Sequence, residues 1–182
     1  MKPCLIAAAL TALAFAPVDD YASAKRKLDL IDSERLRPGA KVTLTARELN
    51  AYVAHEVPPG VRNTTLQIVS PGVATGSALI DFGKVRRAQG HPPGWLMSKL
   101  LDGERPVSVT ARIVSANGRA TVKVQRVEVS GVEIDGKTLE FLVQNLLLPM
   151  YPTAAVDRPF ELGHRIERLE LQPSAVGVFI GH

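Results

Sequence analysis

The 182-residue chain carries 22 Lys and Arg against 18 Asp and Glu, a net charge of +4, with one cysteine and 5% aromatic residues. One cysteine has no partner for an intrachain disulfide, and the length suits a single domain with a proper core. The basic excess is modest and scattered, without the aromatic-and-basic motifs that stack and clamp nucleic acid, so nucleic acid is not an expected partner.

The chain opens with Lys2 and an apolar run from Cys4 to Ala16, shorter than the roughly 20 residues that a membrane span needs. Ala22-Ser23-Ala24 follows, an A-x-A pattern of the kind a signal peptidase accepts. The expectation is a cleavable signal peptide over residues 1–24, cut after Ala24, that delivers residues 25–182 to the periplasm or the medium as one domain; a retained anchor is the alternative. Cys4 precedes the apolar run instead of closing it, so it does not sit where a lipid-modified cysteine would, and it leaves with the leader.

Residues 25–39 are charged and contain Arg37-Pro38-Gly39, which reads as an exposed lead-in with at most a short edge strand at 28–31. Thr45-Ala46-Arg47-Glu48 fits the capping box of a helix N-terminus, and Leu44 with Leu49 fits the hydrophobic staple. Leu49, Tyr52 and Val53 then recur at helical spacing, predicting an amphipathic helix near the mature N-terminus that stops at Pro58-Pro59-Gly60.

Alternation takes over after the prolines. Leu66 and Ile68 lead to a Pro71-Gly72 turn, and Val73 to Phe82 return as the second strand of a hairpin. A second hairpin pairs Val107, Val109, Ala111 and Ile113 with Ala120, Val122 and Val124 across Asn117-Gly118, a dipeptide that tolerates the positive φ angles of a type I′ turn. Polar residues on the other face predict an antiparallel sheet with one apolar and one wet side. The period slips between Val124 and Val127, which places a bulge near Gln125-Arg126.

Asp135-Gly136 introduces the most apolar helix of the mature chain, with Leu139, Leu142, Val143, Leu146, Leu147 and Met150 on one stripe widened by Phe141 and Leu148. Such a helix needs cover on most sides, and a curved sheet wrapped around it supplies that. Strands at 165–171 and 175–180 close the chain through Gln172-Pro173-Ser174. The fold class is α+β: a strongly curved antiparallel sheet around a long apolar helix.

Between the hairpins lies an insertion over residues 83–105. Trp95, Leu96, Met97, Leu100 and Leu101 are flanked there by Lys84, Arg86, Arg87, Lys99 and Arg105, with His91-Pro92-Pro93-Gly94 as a hinge. Tryptophan beside cations is the composition of an interfacial segment, so Trp95, Leu96, Met97, Leu100, Arg86, Arg87 and Lys99 are candidates for peripheral membrane contact. The same apolar cluster equally suits a cap on one open end of the core.

No catalytic apparatus is evident. His55, His91, His164 and His182 lie far apart in sequence and belong to no metal or nucleophile motif, the carboxylates fall at positions of strands and loops that face water, and phosphate-loop, G-x-S-x-G and H-E-x-x-H motifs are lacking. The expectation is a protein that is not an enzyme and takes no metal or cofactor.

The phrase from Val42 to Ala51, VTLTARELNA, resembles the opening helix of the bacterial LmeA-like (DUF2993-type) phospholipid-binding proteins, related to the tubular lipid-binding (TULIP) superfamily. The helix from Leu139 to Met150, then Pro159-Phe160-Glu161-Leu162, then Ile166 to Leu171, resemble that family's final helix, crossing segment and closing hairpin. The resemblance implies an elongated apolar groove for acyl chains and non-enzymatic carriage or sensing of a phospholipid or other amphiphile in the cell envelope. Leu49, Tyr52, Val53, Phe141, Leu142, Leu146 and Leu148 are the candidate groove residues. The alternative from another class is a dry-core adaptor of the envelope that recruits a protein partner by strand addition at an exposed sheet edge, such as the strand at 175–180.

Overall fold

The computed structural model describes residues 19–88, 90, 103–144 and 157–182 and, within these, not the side chains of Arg86, Phe141 and Leu142. Its first element corrects the expectation for residues 25–39. Instead of an exposed lead-in with an edge strand, the chain forms helix α1 (Asp20–Asp32). Asp19 caps it by accepting from the amides of Tyr21 and Ala22 at 3.0 and 3.3 Å, and Ala24, Leu28 and Ile31 recur at helical spacing as its apolar stripe. Charged neighbours hide that stripe in the sequence because its first member is only an alanine. Ala22-Ser23-Ala24 lies within this helix, and Ala24 is 0% exposed.

Strand β1 (Lys41–Thr45) runs directly into α2 (Ala46–His55). The capping box is present: Thr45 Oγ1 accepts from the Glu48 amide at 3.2 Å, and Glu48 Oε2 accepts from the Thr45 amide at 2.8 Å. Glu48 also reaches α1, where Ser23 Oγ donates to it at 2.6 Å and Lys27 Nζ donates to both of its oxygens at 2.7 Å. Lys27 additionally donates to the Thr43 carbonyl at 2.7 Å. Glu48 is 5% exposed and is the buried charged side chain among the described residues. Burial alone would push its carboxyl up, but the hydrogen bonds from Lys27, Ser23 and Thr45 outweigh that and hold its pKa at about 2.

β1 pairs with β9 (Ala175–Ile180), which pairs in turn with β8 (Ile166–Gln172), giving a three-stranded antiparallel sheet of order β1-β9-β8. This corrects the expectation of a free edge at 175–180: β9 is the central strand. The short alternation of Val42 and Leu44 was masked by its attachment to the following helix, and it is this strand that occupies the supposed edge. α1 and α2 lie on the sheet's inner face, where Ala24, Ile31, Val42, Leu44, Val178 and Ile180 form a buried cluster flanked by Leu28, Leu49 and Tyr52.

The larger sheet follows chain order: β2 (Val61–Ser70), β3 (Val73–Asp81), β4 (Glu104–Ala116), β5 (Arg119–Val129) and β6 (Val132–Glu133), every pair antiparallel. β7 (Pro159–Glu161) pairs with the start of β5. Helix α3 (Phe82–Ala88) follows β3, and α4 (Gly136–Leu142) follows β6 from the Asp135-Gly136 pair that the sequence marks, Asp135 standing at the N-cap position without a side-chain cap hydrogen bond; the remainder of the expected apolar helix, residues 145–150, lies outside the described residues. The two hairpins are those expected, and Asn117 and Gly118 adopt φ of 52° and 75°. Thr110 opposes Arg126 while Ala111 opposes Val124, so Gln125 is the extra residue of the bulge that the slipped period predicts. Among the described residues the architecture is α+β with antiparallel sheets and no closed barrel.

The sheets meet along β8. Leu171 buries against Ile68 and Ala74 of the larger sheet, with Leu66, Ile113, Leu169 and Val176 packed around them.

The Glu48 junction sets an acid limit. A carboxyl held at about 2 instead of the ordinary 4.5 contributes about 3 kcal/mol, present in full above pH 4.5 and lost as the pH falls toward 2. Glu48→Gln is expected to lower unfolding free energy at neutral pH by about 2–4 kcal/mol. The variant's stability should also fall less steeply than wild type between pH 4.5 and 2, as urea titrations across that interval will show.

Candidate functional site

The strand registers sort the larger sheet into two unlike faces. On one, Ile68, Ala74, Ala111 and Val124 lie in a row across β2 to β5, and the next row holds Leu66, Gly76, Val109 and Val127. Ala78, Val107, Val129 and Val132 form the row after that, and Ile113 with Val122 extends the face toward the Asn117-Gly118 turn. On the opposite face Thr65 bonds Ser77, Thr75 bonds Thr110 at 2.8 Å, and Arg62 pairs with Glu104. Arg126 pairs there with Glu128 and Glu133. One side of the sheet is therefore solvated and the other is a continuous aliphatic surface.

Among the described residues β8 covers one end of that surface, where Ile68 and Ala74 are buried under Leu171. Val124, in the same row, is half-buried; in the rows beyond, Ala78, Ile80, Val107, Val109 and Val129 are half-buried, Val127 is buried, and Val132 is 62% exposed. β4 spans 13 residues, roughly 40 Å of extended chain, whereas the acyl chains of one membrane leaflet occupy roughly 15 Å. The aliphatic face as a whole is thus long enough for an acyl chain laid along the strands. The strict alternation of β4 and β5 is the signal that finds this face, which the sequence predicts as the apolar side of the sheet, whereas the expected groove residues lie on the helices.

The expected groove residues separate. Leu49 and Tyr52 pack against the cluster between α1, α2 and the smaller sheet, and Val53 is half-buried on the same helix. Phe141 and Leu142 belong to α4 by backbone, with their side chains outside the described residues, as are Leu146 and Leu148. Of the expected membrane contacts, Arg86 and Arg87 lie on α3, with Arg87 exposed, and Trp95, Leu96, Met97, Lys99 and Leu100 fall outside the described residues, as does the hinge before them.

A polar cleft lies between the Asn117-Gly118 turn and residues 163–166, lined by Arg119, Glu161, His164 and Arg165. Its basic side chains already have neighbours. Arg119 faces Glu161 at 4.0 Å, Arg165 donates to the carbonyls of Glu34, Leu36 and Gly181, and His164 sits 3.8 Å from Asp32 and 3.7 Å from Glu34. His55, the other interior-sequence histidine described, stacks on Tyr21 with ring centres 3.9 Å apart. Such arrangements tie loops together and present no nucleophile beside a base.

Sheet edges are the remaining kind of site, and side chains close several of them. Leu66 on the outer edge of β2 donates its amide to Asn50 Oδ1 at 2.7 Å and accepts from Asn50 Nδ2 at 2.8 Å, so an α2 side chain takes the place of a neighbouring strand. The outer carbonyls of β8 are taken in turn: Glu167 by the Gly118 amide at 2.8 Å, Leu169 by Ser115 Oγ at 3.0 Å and Leu171 by the Gly72 amide at 3.1 Å. Side-chain and turn donors at these positions leave little for an added strand.

Comparison with protein-family models, curated protein sequences and solved structures gives no match for the chain.

Asn50 offers a direct test of edge closure. Asn50→Ala leaves the Leu66 amide and carbonyl without these partners and is expected to destabilise the fold by about 1–3 kcal/mol. A urea midpoint equal to wild type would show that the β2 edge is held closed by something else.

Proposed function

We propose that the chain is a non-enzymatic lipid-binding or lipid-carrying protein of the bacterial cell envelope, exported by a cleavable leader, that holds a phospholipid or another amphiphile along the aliphatic face of its larger sheet. The observation that carries this reading is the extent of that face beyond β8: aliphatic rows on β3 to β6 from Ala78 to Val132, on a sheet whose other side is solvated. Half-buried valines of this kind gain about 25 cal/mol for each Å² of apolar surface that a ligand takes from water. The likeness to LmeA-like proteins in residues 42–51, 139–150, 159–162 and 166–171 supports the same reading. In it the sheet curves strongly around the helix that begins with α4, and Leu142, Leu146 and Leu148 face the acyl chain from the other side. Trp95 and its cationic neighbours then form a flap that touches the membrane peripherally.

The adaptor alternative is weakened by the central position of β9, since strand addition there has no edge to use.

The test is native mass spectrometry with lipid extraction on protein purified without detergent. An amphiphile retained in stoichiometric amount is expected, and Val109→Asp, which puts a charge in the middle of the aliphatic face, is expected to lose it while far-ultraviolet circular dichroism still reports a folded sheet. A clean unliganded mass with no uptake from added phospholipid vesicles would sink the lipid reading. Trp95→Ala with Leu96→Ala should keep the bound lipid and weaken association with anionic vesicles; unchanged association removes the flap.

A further inference from the structure

We propose that the solvated face of the β4–β5 hairpin, centred on Arg112 and Lys123, docks on the anionic surface of a phospholipid membrane. This face lies on the other side of the sheet from the aliphatic one and is separate from the Trp95 segment, so it stands or falls without either.

Charge that is scattered over the whole sequence is one-sided in this hairpin. From Arg105 to Val127 the chain carries Arg105, Arg112, Arg119, Lys123 and Arg126 and no aspartate or glutamate. Val109, Ala111 and Ile113 belong to the aliphatic face, so alternation turns Arg112 and Val114 to the solvated one. Their cross-strand partners Lys123 and Thr121 share that face, and Arg119, opposite Ala116, follows at the tip. Arg112 and Lys123 stand directly opposite each other, with β-carbons roughly 5 Å apart, a placement in which like charges repel. Among the described residues neither forms an ion pair, and Arg119 meets Glu161 only at 4.0 Å. Arg126 is different, held by Glu128 at 2.8 Å and Glu133 at 3.3 Å. The two central cations therefore cost the fold repulsion that an anion from outside would relieve.

The face is open to such a partner. Arg112, Arg119 and Lys123 are exposed, and Val114 is 56% exposed among them. β3 begins at Val73, opposite Arg112, so the last residues of β4 run past it and carry the tip of the hairpin outward. Neither β4 nor β5 has an aromatic residue on which a nucleic-acid base could stack. Small side chains between the cations, Thr110, Thr121 and Ala116, keep the face flat. A flat array of cations around an exposed valine fits a surface that presents many equivalent phosphates with apolar chains just beneath them, which is an anionic bilayer.

The test is co-sedimentation of the purified full chain with vesicles of phosphatidylcholine, with and without phosphatidylglycerol. Binding is expected only to the phosphatidylglycerol vesicles, and it should weaken as salt is raised. Arg112→Gln with Lys123→Gln is expected to weaken it by roughly fivefold for each cation, about 25-fold for the pair. The urea midpoint of this variant should equal or exceed that of wild type, since a repulsion has been removed. Arg35→Gln with Arg37→Gln removes the same charge from exposed positions after α1 and should bind as wild type. Unchanged binding in the hairpin variant, an equal loss in the α1 control, or equal binding of wild type to both kinds of vesicle overturns the assignment. A lowered urea midpoint in the hairpin variant overturns the premise that the two cations are unsatisfied. Tighter binding to a single-stranded DNA oligonucleotide than to the vesicles at equal salt reassigns the face and overturns the membrane as its partner.

Discussion

The Glu48 carboxylate gathers three donors from two separate pieces of the chain: the Thr45 amide at the junction of β1 and α2, and Ser23 and Lys27 on α1. A buried carboxylate is tolerated only when its lone pairs are filled, so the position of α1 is specified to within hydrogen-bond reach by a residue whose first task is to cap another helix. With α1 held there, Ala24 and Ile31 close over Leu44, Val178 and Ile180. Lys27, having neutralised the carboxylate, goes on to occupy the Thr43 carbonyl on the open side of β1. The smaller sheet thus owes both its apolar cover and the shielding of one edge to the same ion pair.

From that anchored sheet, β8 carries order into the larger one. Its inner side chains, Leu169 and Leu171, belong to one apolar layer with Ile68 and Ile113, while its outer backbone is met by both hairpin turns. Apolar packing supplies most of the free energy of such a seam, but it is non-directional and tolerates sliding. Carbonyls matched at alternate positions of β8 to fixed donors do not. The aliphatic face is therefore held at a definite register against β8, which covers one end of it.

Periodicity revealed most of the larger sheet before any coordinates, because residues alternating over long strands leave a clear record: both hairpins, the Asn117-Gly118 turn and the bulge at Gln125 stand where the pattern puts them. The capping box did the same for α2. α1 was not legible because Ala24, Leu28 and Ile31 are a weak stripe among Lys, Arg and Asp, and because Ala22-Ser23-Ala24 has the same composition whether it is a peptidase recognition sequence or a helix turn. β1 was missed for its shortness. The burial of Glu48 could not be read at all, since its second set of partners lies more than twenty residues away. The candidate site was half legible: the apolar strand residues were identified, but how much of their face β8 covers is a property of tertiary contact.

The hairpin tips have a consequence for where this chain can be altered. Loop tips are ordinarily the places where extra residues, tags or a permuted terminus are accommodated, because little depends on their backbone. In this chain the amides of Gly72 and Gly118 are spent on β8, and the Gly72 carbonyl is further engaged by the Ile113 amide. Lengthening either turn would part the two sheets rather than decorate one of them. The turn at Ser130 and Gly131 is different, with nothing among the described residues within 4 Å of the space beside Gly131, and it is there that evolution or an engineer has room to write.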